Sequence, residues 1–255
     1  MPAAHVQTVT NSGSGATWSV TITVTAGNFL RVVVHTADEP FSNTTPISSS
    51  PSNTWTVDKE FERAPGNPQM LNAYAMNIAG GSTTIQGSLP GGGSDWVVKV
   101  MEFSGVALTS ALDVHTDQTD ATTDNVKESG ATSASTQADA VAIGSFSVVT
   151  QTPNWSVGSN GYTITSGGTD LVAVEYKLLA ATGPENADIN FGSGNSTVDC
   201  RVAVFKAAVA AGGQPTMRRW GTIPGLFGGR SLSNRRYGVQ GASLEEIEMY
   251  GRKAA

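Results

Sequence analysis

One short segment, in which apolar and hydroxyl residues strictly alternate, constrains the fold most. Residues 18–25 read WSVTITVT, so the tryptophan, valines and isoleucine lie on one side of an extended chain and Ser and Thr on the other. A period of two indicates a strand with one face buried and one face in water. Such half-buried strands are typical of antiparallel sheets.

Similar strand-like segments recur along most of the chain: 29–35, 53–61, 70–78, 82–87, 96–103, 112–118, 138–149, 162–165, 170–179, 188–191 and 198–206. Gly and Pro clusters separate them, and no long amphipathic helix precedes residue 243. Hydrophobic residues make up 39% and charged residues only 14%, with abundant Ser and Thr. The chain is therefore predicted to be all-β, a jelly-roll or lectin-like antiparallel β-sandwich of two packed sheets. The polar segment 119–137 is predicted to be a long surface loop.

Charge divides the chain into two parts. Residues 1–214 hold eight Lys/Arg against 18 Asp/Glu, whereas residues 215–255 hold seven Lys/Arg against three Glu. This asymmetry predicts a sandwich domain at 1–211 and a basic docking arm at 212–255. Ser243 and Glu246 match a capping box, which predicts a short helix at about 243–252 that must dock to persist.

The arm interleaves arginines with aromatic and aliphatic residues, a composition enriched at protein interfaces. Its predicted partner-binding residues are Arg218, Arg219, Trp220, Leu226, Phe227, Arg230, Arg235, Arg236, Tyr237, Leu244, Ile247 and Tyr250. Solvated disorder and nucleic acid binding are the alternatives. The acidic residues 1–214 would repel a polyanion, so docking on protein is favoured over nucleic acid.

No catalytic site, cofactor site or metal site is predicted, and the chain is interpreted as a non-enzyme. Asp58, Glu60 and Glu62 alternate as paired glycosidase carboxylates do, but carboxylates facing water are the favoured interpretation. Asp113, His115 and Asp117, with Asp120 and Asp124 after them, are a weak metal candidate without calcium-loop spacing. Solvated charges on an edge strand are favoured there.

The cysteine and tryptophans are mostly predicted to lie in the core. Cys200 alternates with valines, and Trp18, Trp55 and Trp96 belong to apolar strands. Trp155 lies beside Pro and Asn in a loop-like stretch, so it is the candidate exposed platform for a glycan. A single cysteine, no secretory leader and no apolar run of about 18–20 residues predict synthesis in a reducing cytoplasm and no membrane span.

Several segments resemble the β-sandwich proteins that decorate or cement the heads of tailed bacteriophages. They are residues 96–105 (WVVKVMEFSG), 111–113 (ALD), 138–143 (ADAVAI) and 201–206 (RVAVFK). The resemblance extends over roughly residues 5–207, and the arm lies outside it. It implies a structural role and supplies no catalytic residues.

The function expected from these observations is that of a non-enzymatic virion structural protein, a capsid decoration or cement protein that binds and stabilises the phage head through its C-terminal arm. The expected partners are the major capsid protein or sister subunits, and the expected location is the capsid surface. A homo-oligomer is expected, with a trimer the first guess because oligomers are usually cyclic. The alternative is a carbohydrate-binding adhesion module for host glycans.

Overall fold

A computed structural model describes residues 1–37, 41, 47–61, 69–89, 94–148, 153–166, 170–192 and 197–209, hereafter the body. All sixteen regular elements of the body are strands, and every strand pair is antiparallel. The predicted all-β class is therefore confirmed. Among these described residues no helix is long and apolar enough to cross a membrane. The arm, with its predicted helix at 243–252, lies outside the described residues.

The first eight strands form the N-terminal sandwich. They are β1 (Ala4–Gly15), β2 (Thr17–Val24), β3 (Phe29–Thr36), β4 (Ser48–Ser50), β5 (Trp55–Phe61), β6 (Gln69–Ala75), β7 (Gly81–Ser88) and β8 (Ser94–Ser104). Five strands form an inner sheet in the order β1-β8-β3-β6-β5, and three form an outer sheet in the order β2-β7-β4. This is the strand order of an eight-stranded jelly roll, except that β5 joins the inner sheet.

The next eight strands form the C-terminal sandwich. They are β9 (Leu112–Asp120), β10 (Val126–Glu128), β11 (Val141–Val148), β12 (Ser156–Val157), β13 (Thr163–Ser166), β14 (Val172–Leu178), β15 (Asp188–Asn190) and β16 (Val198–Phe205). The inner sheet has the order β9-β16-β11-β14-β13 and the outer sheet the order β10-β15-β12. Adding eight to each strand number of the first sandwich reproduces the second, so the body is a structural duplication of one jelly roll.

The two sandwiches also share the positions of their β-bulges. In the first, the register of β1 shifts after His5, which pairs with Phe103; in the second, the register of β9 shifts after Leu112, which pairs with Phe205. A second pair of bulges lies in β5, at Asp58, and in β13, at Thr165. A bulge bends a strand at a defined place. Four matching bulges therefore support a duplication more strongly than strand order alone.

The body has four layers, because the two inner sheets pack on each other. One core lies between the sheets of the N-terminal sandwich, around Trp18 and Ile85, and another between those of the C-terminal sandwich, around Phe146 and Ile189. The middle core joins the inner sheets. Inner strands are thus buried on both faces, which explains apolar runs such as 32–34.

Aromatic contacts in the middle core repeat across the interface. Tyr74 meets Phe205 at 5.2 Å between ring centroids, and Tyr176 meets Phe103 at 5.6 Å, both edge to face. The strand registers place the two tyrosines at equivalent positions, and likewise the two phenylalanines. The sandwiches therefore pack with approximate twofold symmetry.

The structure corrects three details of the sequence analysis. Four sheets are present in the body where two were expected. The longest strand, β1, was not predicted, because its polar second half, NSGSG, lacks an alternating apolar pattern. Segment 119–137 is not a plain surface loop: it contains β10, and Ser129, Thr132 and Ser135 are buried with their amides bonded to residues 183–187.

Candidate functional site

A buried cluster of charged side chains lies between the two inner sheets and is the body's most unusual chemical feature. It comprises Arg31, Asp58, Lys59, Asn72, Asp117 and Arg201, hereafter the charge network. Alternation along β3 and β16 directs both arginines towards the interface. Asp58 reaches the same place from the bulge of β5.

Asp58 bridges the two arginines with both of its oxygens. Arg31 Nη1 donates to Oδ1 at 2.6 Å, and Arg201 Nη2 donates to Oδ2 at 2.8 Å. The three side chains are 0%, 2% and 0% exposed for Arg31, Asp58 and Arg201. Since Arg201 belongs to the C-terminal sandwich and the other two to the N-terminal sandwich, this carboxylate joins the two halves.

Further hydrogen bonds extend the network on both sides. Arg31 Nη2 donates to Asn72 Oδ1 at 2.8 Å, and Ser145 Oγ donates to the same oxygen at 2.8 Å. On the other side Arg201 Nη1 donates to Asp117 at 3.1 Å, and Lys59 Nζ lies 2.6 Å from the second oxygen of that carboxylate. Lys59 and Asp117 are partly exposed, so only this end of the network reaches solvent.

The network carries three cations and two carboxylates. Burial lowers the pKa of Arg31, and the charge of Asp58 opposes that change. An arginine stays protonated at ordinary pH. The Nε atoms of Arg31 and Arg201 have no hydrogen-bond partner in the described part of the chain. Both oxygens of Asp58 are engaged by arginine, so this carboxylate is placed to hold the two sandwiches together.

Two more polar contacts cross the same interface. Lys99 Nζ lies 2.5 Å from Asp170. Lys99 is the equivalent of Arg201 in the other sandwich, since each lies opposite the equivalent position of β3 or β11.

His35 Nδ1 contacts Ser147 Oγ at 2.6 Å. Burial lowers the pKa of His35 to about 4, so the imidazole is neutral at pH 7. The histidine and serine are sealed inside the interface, away from any substrate.

A buried acid lies in the C-terminal sandwich, outside the interface. Glu175 is fully buried, and neither of its oxygens has a hydrogen-bond partner among the described residues. Burial, followed by the negative charge of Asp188, raises the pKa of Glu175 to about 9. The side chain lies against Gly144, where a Cβ atom would approach its Cγ to 2.8 Å. Glu175 is therefore a neutral acid at pH 7, enclosed by small residues.

The carboxylates weighed as a metal site do not converge. Asp113 accepts hydrogen bonds from the amide and hydroxyl of Thr136, and Asp117 belongs to the charge network. Asp120 accepts from Thr122 and from the Glu128 amide; these bonds outweigh burial and lower the pKa of Asp120. A shallow cavity of about 360 Å³ adjoins that loop. In the described part of the chain no three His, Cys, Asp or Glu residues are grouped to hold a metal ion.

Two interpretations of individual residues were wrong. Asp58 does not face water, because the bulge turns it into the interface. Trp155 is not an exposed platform: it is 4% exposed, stacks edge to face on Phe191, and donates its indole N–H to the Asp170 carbonyl at 2.6 Å. Glu62, the third carboxylate of the glycosidase pattern, lies outside the described residues.

Other assignments to the core are confirmed. Cys200, Trp18 and Trp96 are buried, and Trp55 packs partly buried against the first core. The twelve arm residues predicted to bind a partner, Arg218 to Tyr250, all lie outside the described residues. Their role stays a prediction.

Sequence reasoning missed the charge network, although a signal for it exists. Three apolar strands each contain a single Lys or Arg: FLRVVVH, WVVKVMEF and VDCRVAVF. A base among residues covered on both faces must be paired. Arg31, Lys99 and Arg201 thus pointed to buried acids, but the sequence does not show which acids.

The comparisons with known proteins add no relative: no protein-family model, no curated protein and no solved structure matches this chain.

Proposed function

We propose that the protein is a virion structural protein, a decoration or cement protein that displays the double jelly roll and is anchored by its basic C-terminal arm. The observation that carries this proposal is how the body uses its buried ions. Arg31, Lys99 and Arg201 are all consumed in ion pairs, and Asp58 and Asp170 tie the sandwiches together. Buried ion pairs that join the two sandwiches hold them in one fixed arrangement, as a structural protein requires.

The charge distribution supports an anchored body. The acidic residues 1–214 carry a net charge of −10, and the arm residues 215–255 carry +4. The arm also contains aromatic and aliphatic residues that a purely solvated tail lacks. An arm that binds an assembled shell, but not unfolded subunits, stabilises the particle by mass action.

The alternative of a glycan-binding module has lost its main support. It depended on an exposed Trp155, and that ring is buried with its N–H already bonded. A glycosidase would use Asp58, Glu60 or Glu62, and of these Asp58 has both oxygens held by arginines. Neither is proposed further.

The test uses particles of the virus whose genome encodes the chain. Full-length protein, a chain ending at residue 211 and the variant Arg218→Ala/Arg219→Ala/Trp220→Ala are each mixed with particles that lack the protein. Bound protein is quantified after gradient sedimentation. We expect the full chain to saturate the particles, the triple variant to bind at least about tenfold more weakly, and the truncated chain to stay at the top of the gradient.

Two results would contradict the proposal. If the full chain fails to sediment with particles, the virion role is wrong. If the truncated chain binds as well as the full chain, the protein is a virion component but the arm is not its anchor. Circular dichroism of each variant shows whether the body remains folded.

A further inference from the structure

The free edge of β1 differs from the other sheet edges of the body. β1 has twelve residues and pairs on one side only, with β8. Apart from His5 it contains no ionisable side chain, and it contains no proline. Residues Thr10 to Ser14 are exposed on both faces. A long neutral edge of this kind is a template for adding another strand.

The equivalent edge of the other sandwich provides the comparison. β9 occupies the position of β1, but it carries Asp113, Asp117 and Asp120. The registers make Asp117 the equivalent of Thr10, because Asp117 lies opposite Arg201 and Thr10 lies opposite Lys99. The same strand position is thus charged in one sandwich and neutral in the other. Charge on an edge strand prevents edge-to-edge pairing.

The remaining described edges are short, charged or covered. β4, β10, β12 and β13 have two to four residues each, and β5 carries consecutive charges at 58–60. The outer edge of β2 is covered by side chains of β1. Gln7 donates to the Thr23 carbonyl at 2.6 Å, and Asn11 donates to the Ser19 carbonyl at 2.7 Å. Among the described strands, β1 is the long edge without such protection.

We propose that β1 pairs antiparallel with β1 of a second copy of the chain, so that the two N-terminal inner sheets become one continuous sheet. Antiparallel pairing of identical strands is the arrangement that a twofold axis permits. This makes the assembly a dimer and not the trimer first guessed. It does not depend on the proposed virion function.

Charge restricts where a second copy can approach. Residues 1–214 carry a net charge of −10, so two copies of the chain repel each other across most surfaces. Along Thr8 to Ser14 neither strand brings a charge to the contact. The exposed Thr10, Asn11 and Ser12 side chains can remain solvated on the two faces of a joined sheet. The neutral edge is therefore where two acidic bodies approach at the lowest electrostatic cost.

The first test introduces the charge that β9 already has. Light scattering coupled to size exclusion gives the mass of the full chain, of Thr10→Asp/Ser12→Asp, and of the control Ser82→Asp/Gln86→Asp. The control adds the same charge on exposed positions of β7, the middle strand of its sheet. We expect twice the 26.3 kDa chain mass for the full chain and the control. The edge variant should dissociate at least about tenfold more readily, because like charges face each other across the strands.

A second test works even if the edge variant fails to fold. Cys200 is fully buried, so Ser12→Cys introduces the accessible thiol of the body. Under mild oxidation we expect a disulfide-linked dimer for full-length Ser12→Cys and none for the control Ser82→Cys.

Three results would overturn the proposal. A full chain that is monomeric across a dilution series would do so, as would an edge variant that dimerises as tightly as the control. The third is a monomer whose amides at 8–14 are protected from hydrogen exchange and lose that protection in a chain ending at 211. That result would assign the edge to the arm of the same chain.

Discussion

The N-terminal and C-terminal sandwiches share a scaffold but differ where charge is placed. Tyr74 and Tyr176, and Phe103 and Phe205, occupy equivalent positions and repeat one aromatic contact. At the equivalent bulges, however, the N-terminal sandwich has Asp58 and the C-terminal sandwich has Thr165. The apolar contacts of the interface are therefore symmetric and its ionic contacts are not. Apolar packing holds the halves together, while Asp58 adds an ionic link to Arg201 that the C-terminal sandwich does not return from its own bulge.

The bulge residues should show the largest difference between the sandwiches. Asp58→Asn removes the counter-charge of buried Arg31 and leaves buried Arg201 with Asp117 alone, and we expect a loss of about 3–5 kcal/mol in unfolding free energy. The equivalent change Thr165→Val removes one hydrogen bond, to the Val174 carbonyl at 3.2 Å, and should cost about 1 kcal/mol. Urea denaturation of the full chain measures both. Equal losses would show that the ionic contact is not what distinguishes the halves.

The shared aromatic positions should respond alike. Phe103→Ala and Phe205→Ala each remove a fully buried ring from the middle core, and each should cost about 3–5 kcal/mol. Approximate symmetry predicts that the two losses agree within about 1 kcal/mol. A large inequality in urea denaturation would contradict the equivalence of the two positions.

A buried acid that is neutral at pH 7 distinguishes the C-terminal sandwich, because Glu175 occupies the position of Ala73. Its pKa rises from 4.5 in the unfolded chain to about 9 in the folded protein. The proton that the folded state retains is lost from the unfolded state above pH 4.5, so stability falls as pH rises from 4.5 to 9. At pH 7 this effect has lowered the free energy of unfolding by about 3 kcal/mol. Glu175→Gln should remove this pH dependence and stabilise the protein at pH 7. If thermal unfolding from pH 5 to 9 is the same in both proteins, Glu175 is not held protonated.

His35, in the interface, should have the smallest effect on the pH dependence of stability. Its effect is opposite in sign to that of Glu175, because stability falls as pH falls. The pKa of His35 falls from 6.5 to about 4 on folding, so protons bind preferentially to the unfolded state as pH falls through this range. Stability should therefore drop by about 2 kcal/mol between pH 7 and pH 5 through this residue. His35→Gln should show a correspondingly shallower acid loss than the control His115→Gln, whose side chain is exposed. If the stability of the two variants falls equally from pH 7 to pH 5, the acid loss does not come from His35.

The sequence predicts the class of fold well because alternation reports burial directly. Strand β2 was recognised from its pattern, and β8 and β16 from their apolar runs. The duplication escapes notice because equivalent strands share the pattern of buried positions and few identical residues. Connections also differ in length: 32 residues separate β3 from β6, whereas 23 residues separate β11 from β14. Only the paired registers reveal the equivalence.

The candidate site was less predictable, for physical reasons. A β-bulge reverses the direction of a side chain, and nothing in the order of residues 57–59 announces one at Asp58. The partners of Arg201 are distant in sequence and come from two strands, β5 and β9. Trp155 looked exposed because its neighbours are typical of loops, yet its ring fills a core position beside Phe191.

A double-mutant cycle between Asp58 and Arg201 tests most directly that this ion pair joins the two sandwiches. Unfolding free energies are measured by urea denaturation for the wild type, Asp58→Asn, Arg201→Met and the double variant. Arg201 and Asp58 lie 2.8 Å apart in a fully buried contact, so we predict a coupling free energy of about 2 kcal/mol or more. Additive losses, with a coupling free energy near zero, would contradict the account.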